Sequence, residues 1–264
     1  MKAFLTMVGM MTLTAAHADS LTSLRNEIKK EGYILYQTPL EYAGTGTLVG
    51  GSPKTLNVVS SPDTCFQEPT QGQMLLRHVD DAALGSTQTT VTFSANASVN
   101  LVNFLGNSNS VFNAGSGFSA VDTIEFSTQG VHVEYLDSVA LENYYNTEMS
   151  AACKAFLDEV GFIVQALRVD QMTFAFKGKD GAYLNLNATG INKILNISAD
   201  AKYTIENDYL LTFTTPKYLG YQLGQLRKSD HGMSLYRASQ TRGNHFLFKS
   251  LSVFPTSTQD SSQP

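Results

Sequence analysis

Five histidines, His17, His78, His132, His231 and His245, are the side chains best able to bind metal or move a proton near neutral pH. Zinc sites need His or Cys at short fixed intervals, and no histidine here stands at such an interval from another His or from a Cys. His132 lies between Val131 and Val133, an alternation that reads as a strand. Asp80-Asp81 and Asp122 with Glu125 offer carboxylates, but neighbouring acids are ordinarily solvated surface. No G-x-S-x-G, phosphate loop or kinase signature occurs. Gly44-x-Gly46 and Gly50-Gly51 lack the strand–loop–helix setting of a nucleotide cradle. Cys65 and Cys153 have no basic partner nearby in sequence; they either pair in an oxidising compartment or are buried thiols. Asn96-Ala-Ser98, Asn187-Ala-Thr189 and Asn196-Ile-Ser198 fit the glycosylation acceptor pattern and read as chance in an Asn-rich chain. The expectation is a protein with no catalytic residues, no cofactor and no metal, hence not an enzyme. A hydrolase would instead require His78 or His132 to meet a carboxylate and a nucleophile in one pocket.

Composition narrows the class. The chain has 264 residues, 42% hydrophobic and 16% charged, which fits one large domain with a sizeable core. A low charge fraction with abundant Thr, Ser and Asn favours strands and turns over surface helices. The net charge of −5 and the lack of a basic run exclude nucleic acid as a partner. No apolar stretch in the body is long enough for a transmembrane helix. Residues 1–18 combine Lys2, an apolar run and Ala16-His17-Ala18, which reads as a secretory signal; Met7, Met10 and Met11 offer later starts.

The elements that would position any site are mostly strands. Residues 21–31, with Leu21, Leu24 and Ile28 on one side, read as a helix stopped by Gly32. Residues 33–35 read as a strand and 44–53 as a glycine-rich loop. From Val91, alternation of Val91, Phe93, Ala95, Ala97, Val99 and Leu101 with Thr, Ser and Asn makes a long strand with one polar face. Residues 106–117 read as a loop, 124–135 as a strand, 138–145 and 149–160 as short helices, and 162–176 as a long strand. Residues 177–181 form an Asp-Gly hairpin turn, and 183–188 return as a strand. A short helix at 191–197, a pair at 201–205 and 209–215, and a strand at 217–226 follow. Residues 227–244 are polar and turn-rich, 245–254 are compact and apolar, and 255–264 are a polar tail.

The order of these elements, with KKEGYIL at 29–35, IEFS at 124–127, VHVEYL at 131–136, LENYY at 141–145, VQALRV at 164–169, MTFAF at 172–176, LNL at 184–186 and YLGYQLGQL at 218–226, resembles the gasdermins, and in particular the short bacterial ones. The resemblance covers about residues 24–250 and implies an α+β fold. That fold has a twisted, mainly antiparallel central sheet, flanking short helices and a short C-terminal inhibitory segment. It implies a monomer that a protease, caspase-like by family, activates by removing that segment. The body then oligomerises, contacts membrane lipids and inserts two hairpin regions as strands of a large β-barrel. The cell dies, which in bacteria serves phage defence.

Carried onto this chain, the resemblance divides it into a leader at 1–20, a pore-forming domain at 21–227, a protease-accessible linker at 228–244 and an inhibitory peptide at 245–264. Arg237 and Arg242 are the expected cleavage points for a protease that prefers basic residues. Phe246, Leu247, Phe248, Leu251, Val253 and Phe254 would hold the inhibitory segment, each contributing about 1.5–3 kcal/mol if buried; an ordinary final strand is the alternative. The membrane-inserting candidates are Val91, Phe93, Val99, Leu101, Val169, Phe174, Phe176, Leu184 and Leu186. The family implies a cytoplasmic resting form and an inner-membrane active form. The leader implies instead export to the periplasm, where the chain would be a β-rich binding or envelope-assembly protein.

Overall fold

The computed structural model of the chain describes residues 25–26, 28–68, 74–81, 89–94, 112–114, 118–190, 195–197, 202–229 and 232–255. Helical residues at 25–26 and 28–30 run into Gly32, whose φ of +81° ends the turn. Glycine enters that left-handed region without a Cβ penalty, which is why the helix stops where the sequence predicts. Strand β1 (Ile34–Leu40) follows, then β2 (Leu48–Gly50) and β3 (Asn57–Ser60). The expected loop at 44–53 is thus partly strand, and residues 43–49 are buried. A 3-10 turn (Pro62–Thr64) leads to β4 (Arg77–Asp81), β5 (Thr89–Ser94) and β6 (Phe112–Ala114), the last of these inside the expected loop at 106–117. Then come a second 3-10 turn (Phe118–Ala120) and β7 (Thr123–Leu136). Helices α1 (Ser138–Thr147) and α2 (Ala151–Leu157) connect β7 to β8 (Gly161–Lys177). The rest is α3 (Leu186–Thr189), β9 (Leu195–Ile197), β10 (Tyr203–Glu206), β11 (Leu210–Phe213), β12 (Lys217–Ser229), β13 (Gly232–Arg242) and β14 (His245–Pro255).

Twelve of the described strands form one antiparallel sheet ordered β10-β11-β8-β12-β13-β14, with β7 beside β8 and β4 and β5 beside β7. The expected α+β class with a mainly antiparallel sheet and short flanking helices is what the chain adopts. β8 is the hub: it pairs with β7, β11, β12 and β2. It can serve on both edges because its sequence, GFIVQALRVDQMTFAFK, is rich in β-branched and aromatic residues that fit a pleated surface. β7 and β8 run in register from Thr123 opposite Lys177 to Tyr135 opposite Gln165. Phe126 packs 5.2 Å from Phe174, and Phe213 meets Phe174 edge-on at 5.9 Å. A second core gathers Phe66, Leu76, Leu141, Leu157 and Phe162 under α1 and α2. The β10–β11 hairpin turns through Asn207 (φ 50°) and Asp208 (φ 62°), residue types that tolerate this region because a short polar side chain bonds locally.

Two expectations are corrected. Residues 228–244 are not a linker: β13 fills most of that span and pairs with β12 on one side and β14 on the other. Residues 183–188 are not a returning strand. Lys177 and Tyr183 make a single bridge, after which Asn185 Oδ1 accepts the Ala188 N–H at 2.7 Å and starts α3. Asparagine side chains favour that capping geometry over a ladder position. Of the short helix expected at 191–197, residues 195–197 are β9, and 191–194 lie outside the described residues.

Candidate functional site

The final hairpin is the first candidate. Arg237 stands in mid-strand, opposite Gly224 and Lys249, so its backbone is paired on both sides and closed to a protease. Arg242 lies opposite His245 at the hairpin end, exposed, and is followed by Gly243 at φ +60°. The Asn244 Oδ1 accepts from Ser52 Oγ (2.9 Å) and the Lys54 N–H (3.1 Å), which clasps this turn to the 52–55 loop. Within β14, Phe246 and Phe248 pack against the third core cluster, and Phe246 meets Tyr221 edge-on at 6.4 Å. The Arg227 guanidinium lies 4.7 Å from the Tyr236 ring and 4.9 Å from the Phe248 ring, joining β12, β13 and β14. Leu247 and Leu251 are 41% and 40% exposed and do not serve as buried anchors. Val253 and Phe254 stand opposite Ser234 and Met233. β14 is therefore an edge strand paired with β13 along its length, with the half-buried rings of Phe246 and Phe248 seated on the third core cluster, each contributing less than the ~1.5–3 kcal/mol of full burial.

The connection between β7 and β8 is the second candidate. Asp137 Oδ1 accepts the Val139 and Ala140 N–H groups at 2.9 and 2.8 Å, which starts α1. Ser150 Oγ accepts the Cys153 N–H at 3.2 Å, which starts α2. Both are N-cap residue types whose oxygen satisfies otherwise unpaired first-turn donors. α1 buries Ala140 and Leu141, whereas α2 buries only Leu157 and leaves Phe156 38% exposed. Of the two alternatives for the cysteines, the structure has the pair: a disulfide joins Cys65, just after the Pro62–Thr64 turn, to Cys153 in α2.

The remaining sequence candidates fall into two groups. Val91 stands opposite Phe126, which stands opposite Phe174; Phe93 likewise leads through Ile124 to Phe176. The fold thus brings β5, β7 and β8 side by side. Val169, Phe174 and Phe176 are core residues, as is Leu186 on α3, and Leu184 packs against the same cluster. Val99 and Leu101 lie outside the described residues.

A polar network crosses the sheet near the β1–β2 loop. Glu134 Oε1 accepts from Tyr218 OH (2.8 Å) and Arg168 Nη1 (3.3 Å), Arg168 Nη2 lies 3.4 Å from Asp170 Oδ1, and His132 Nε2 lies 2.6 Å from Asp170 Oδ2. Burial, reinforced by the Glu134 charge, pushes the Tyr218 hydroxyl well up. Burial alone raises Tyr221; burial first, then neighbouring Tyr221, Tyr218 and Glu134, raises Tyr36; and burial pushes Tyr33 up to about 12 against the opposing Arg237 charge. A group raised in the folded state contributes stability that is complete below its unfolded value, near 10 for tyrosine, and is lost as pH rises through the folded value. Alkaline unfolding is therefore expected to set in above about pH 10, with tyrosinate absorbance rising cooperatively with loss of circular dichroism. Ionisation of all twelve tyrosines near pH 10 in a still-folded protein would contradict this.

Two clefts lie among the described residues. One of ≈ 390 Å³ is lined by Tyr135, Asp137, Val139, Val164, Arg237 and Leu251. The other, ≈ 300 Å³, sets Arg25, Lys29 and Lys54 against the hydroxyls of Ser239 and Thr241. His78 stacks on Tyr135 at 5.3 Å. Among the described residues no group of three or more His, Cys, Asp and Glu side chains could hold a metal ion, and no helix is long and apolar enough to cross a membrane.

These features define a strand-rich α+β protein with an edge hairpin of β13 and β14 and a cross-linked helical connection. No protein-family model matches the chain, and no curated protein matches it. Among solved structures it is similar to a bacterial gasdermin from Bradyrhizobium tropiciagri, at 15% identity and a TM-score of 0.47, over 83% of this chain and 90% of that one.

Proposed function

We propose that the chain is an autoinhibited pore-forming protein of the bacterial gasdermin type. The observation that carries this reading is a hidden alternation in 137–160. Although helical here, this segment places Val139, Leu141, Tyr145, Met149, Cys153 and Leu157 at odd positions. Glu142, Asn146, Glu148, Ser150, Lys154 and Asp158 take the even ones. Asp137, Asn143, Thr147 and Glu159 interrupt the apolar side, and Ala140, Tyr144, Ala152, Phe156 and Val160 the polar one. Period 2 is the signature of a membrane barrel strand, which needs about 9–11 residues per crossing. Turning at 148–152, the segment would extend β7 and β8 as two arms of that order, starting from the Tyr135–Gln165 pair where the two strands already lie side by side.

In this reading β14 is the inhibitory strand. Cleavage falls at Arg242 rather than Arg237, because the turn is exposed and mid-strand is not. A caspase-like or other protease cuts, β14 leaves, and copies assemble with membrane lipids into a barrel that kills the cell, in defence against phage. In this reading the active form sits in the inner membrane. The test uses full-length protein with a specific protease site placed in the 243–244 turn and dye-loaded phospholipid vesicles. Leakage is expected only after cutting. A cut, folded protein that leaks nothing, with or without dithiothreitol, rejects the reading.

One observation favours a second reading, an exported β-rich periplasmic binding or envelope-assembly protein. Disulfides persist in oxidising compartments, and Cys65 and Cys153 are bonded. A mature N-terminus after Ala18 together with no leakage from the cut protein would support it.

A further inference from the structure

The connection that the proposed pore must unfold is cross-linked to the body of the sheet. Cys153 falls on the apolar side of the hidden alternation, in the second arm. Its partner Cys65 is 3% exposed and precedes Phe66, which is fully buried 4.9 Å from Phe162 of β8. The two Cα atoms are 5.5 Å apart, and a disulfide cannot bridge Cα atoms more than about 7 Å apart. A residue so tethered cannot also stand in a membrane arm. Little else holds α2. Leu157 is its one buried residue, Ala151, Ala152, Ala155 and Phe156 are exposed, and the nearby Lys228–Asp158 pair (3.3 Å) sits at the surface, where ion pairs contribute little.

We propose that the Cys65–Cys153 disulfide is a redox latch: it keeps 137–160 folded, and a dithiol reductant must open it, in addition to release of β14, before that segment can insert. This inference rests on the pore-forming reading. The step is a thiol–disulfide exchange. A thiolate of the dithiol attacks the sulfur of Cys153, the less buried of the pair, and Cys65 leaves as a thiolate. The second thiol of the reductant closes on the mixed disulfide and frees Cys153. The dithiol is oxidised to its own disulfide, the protein disulfide is reduced by two electrons, and both cysteine thiolates take up a proton. The latch is distinct from β14, which pairs only with β13 at the far edge of the sheet. The chain therefore has two locks, one opened by hydrolysis and one by reduction.

The test again uses full-length protein carrying a specific protease site in the 243–244 turn, with vesicles of phosphatidylethanolamine and phosphatidylglycerol. Cut oxidised protein is expected to leak at background, and dithiothreitol to raise leakage at least tenfold. C65S/C153S protein should leak on cutting without reductant. Hydrogen exchange in 137–160, followed with vesicles, should accelerate only after reduction. Equal leakage from oxidised and reduced protein, with the bond verified by mass, overturns the latch and leaves the pore reading standing. No leakage in any redox state overturns that reading and the latch with it. Should the double serine variant fail to fold, the wild-type protein with and without dithiothreitol decides alone.

Discussion

Replacing Cys65 and Cys153 by serine is expected to lower the stability of the resting protein by about 4–5 kcal/mol. The disulfide closes a loop with a sequence separation of 88, and chain-entropy arguments give roughly this value for such a loop. In a protein of this size that corresponds to a fall in Tm of about 10–15 °C. The loss should concentrate at α2, whose packing is slight, so exchange of amides at 151–157 should respond first and those of β8 last. Urea unfolding of oxidised and double-serine protein measures the total. A difference below about 1 kcal/mol would mean that the cross-link constrains neither the folded nor the unfolded chain as the entropy model requires.

Glu134→Ala should cost about 3 kcal/mol. The Glu134 side chain is 11% exposed and is the acceptor for both Tyr218 OH and Arg168 Nη1. Removing it leaves a largely enclosed guanidinium with Asp170 at 3.4 Å as its remaining carboxylate, and Arg168 Nε already lacks a partner. Breaking one side of such a pair is costly because the other charge stays where it is. Space is also tight: a Cβ on Gly44 would lie 2.7 Å from both Glu134 Oε2 and Tyr218 OH, so the loop closes down on the network and admits no rearrangement of those two groups without moving. Glu134→Gln keeps an acceptor oxygen and should cost only about 1 kcal/mol. Equal losses for the two variants, measured by urea unfolding, would show that charge at position 134 is immaterial.

What the sequence disclosed follows from how each element signals. β7 and β8 were legible because β-branched and aromatic residues recur along both, although the apolar phase switches across Gly130 (φ +64°) from Ile124 and Phe126 to Val131 and Val133. The helix at 151–157 was legible from the spacing of Ala152, Phe156 and Val160, and Gly32 from its position after Lys29 and Lys30, whereas 138–147 was open between a helix and a turn. β13 was missed because its pairing with β14 shifts register between Leu235 and Tyr236 and again between Ala238 and Thr241. Each shift changes the phase of the alternation, so Met233, Leu235 and Ala238 are buried without sharing one period. Its Ser, Arg and Gln content then read as linker. The 183–188 strand failed because Asn185 prefers a cap to a ladder. The alternating run at 91–101 enters β5 through Ser94, and residues 95–101 lie outside the described residues. The disulfide was left open because pairing depends on folding that brings a turn after β3 against α2, which no local pattern reports.

β14 follows every other described strand in sequence and lies at an edge of the sheet, which sets an order of events during synthesis. Cys65 and Cys153 leave the ribosome well before residue 245, and β8, with its partners β2, β7, β11 and β12, is likewise complete before β14 exists. The nascent body therefore passes through an interval in which nothing covers the outer edge of β13. Domains generally fold as their chain emerges, and unpaired edges are where such intermediates associate wrongly. A covalent tie made from two early residues closes the connection between β7 and β8 during that interval. The last strand then docks by a local hairpin that requires no long search, so an unfinished copy is restrained before its own terminal segment has been translated.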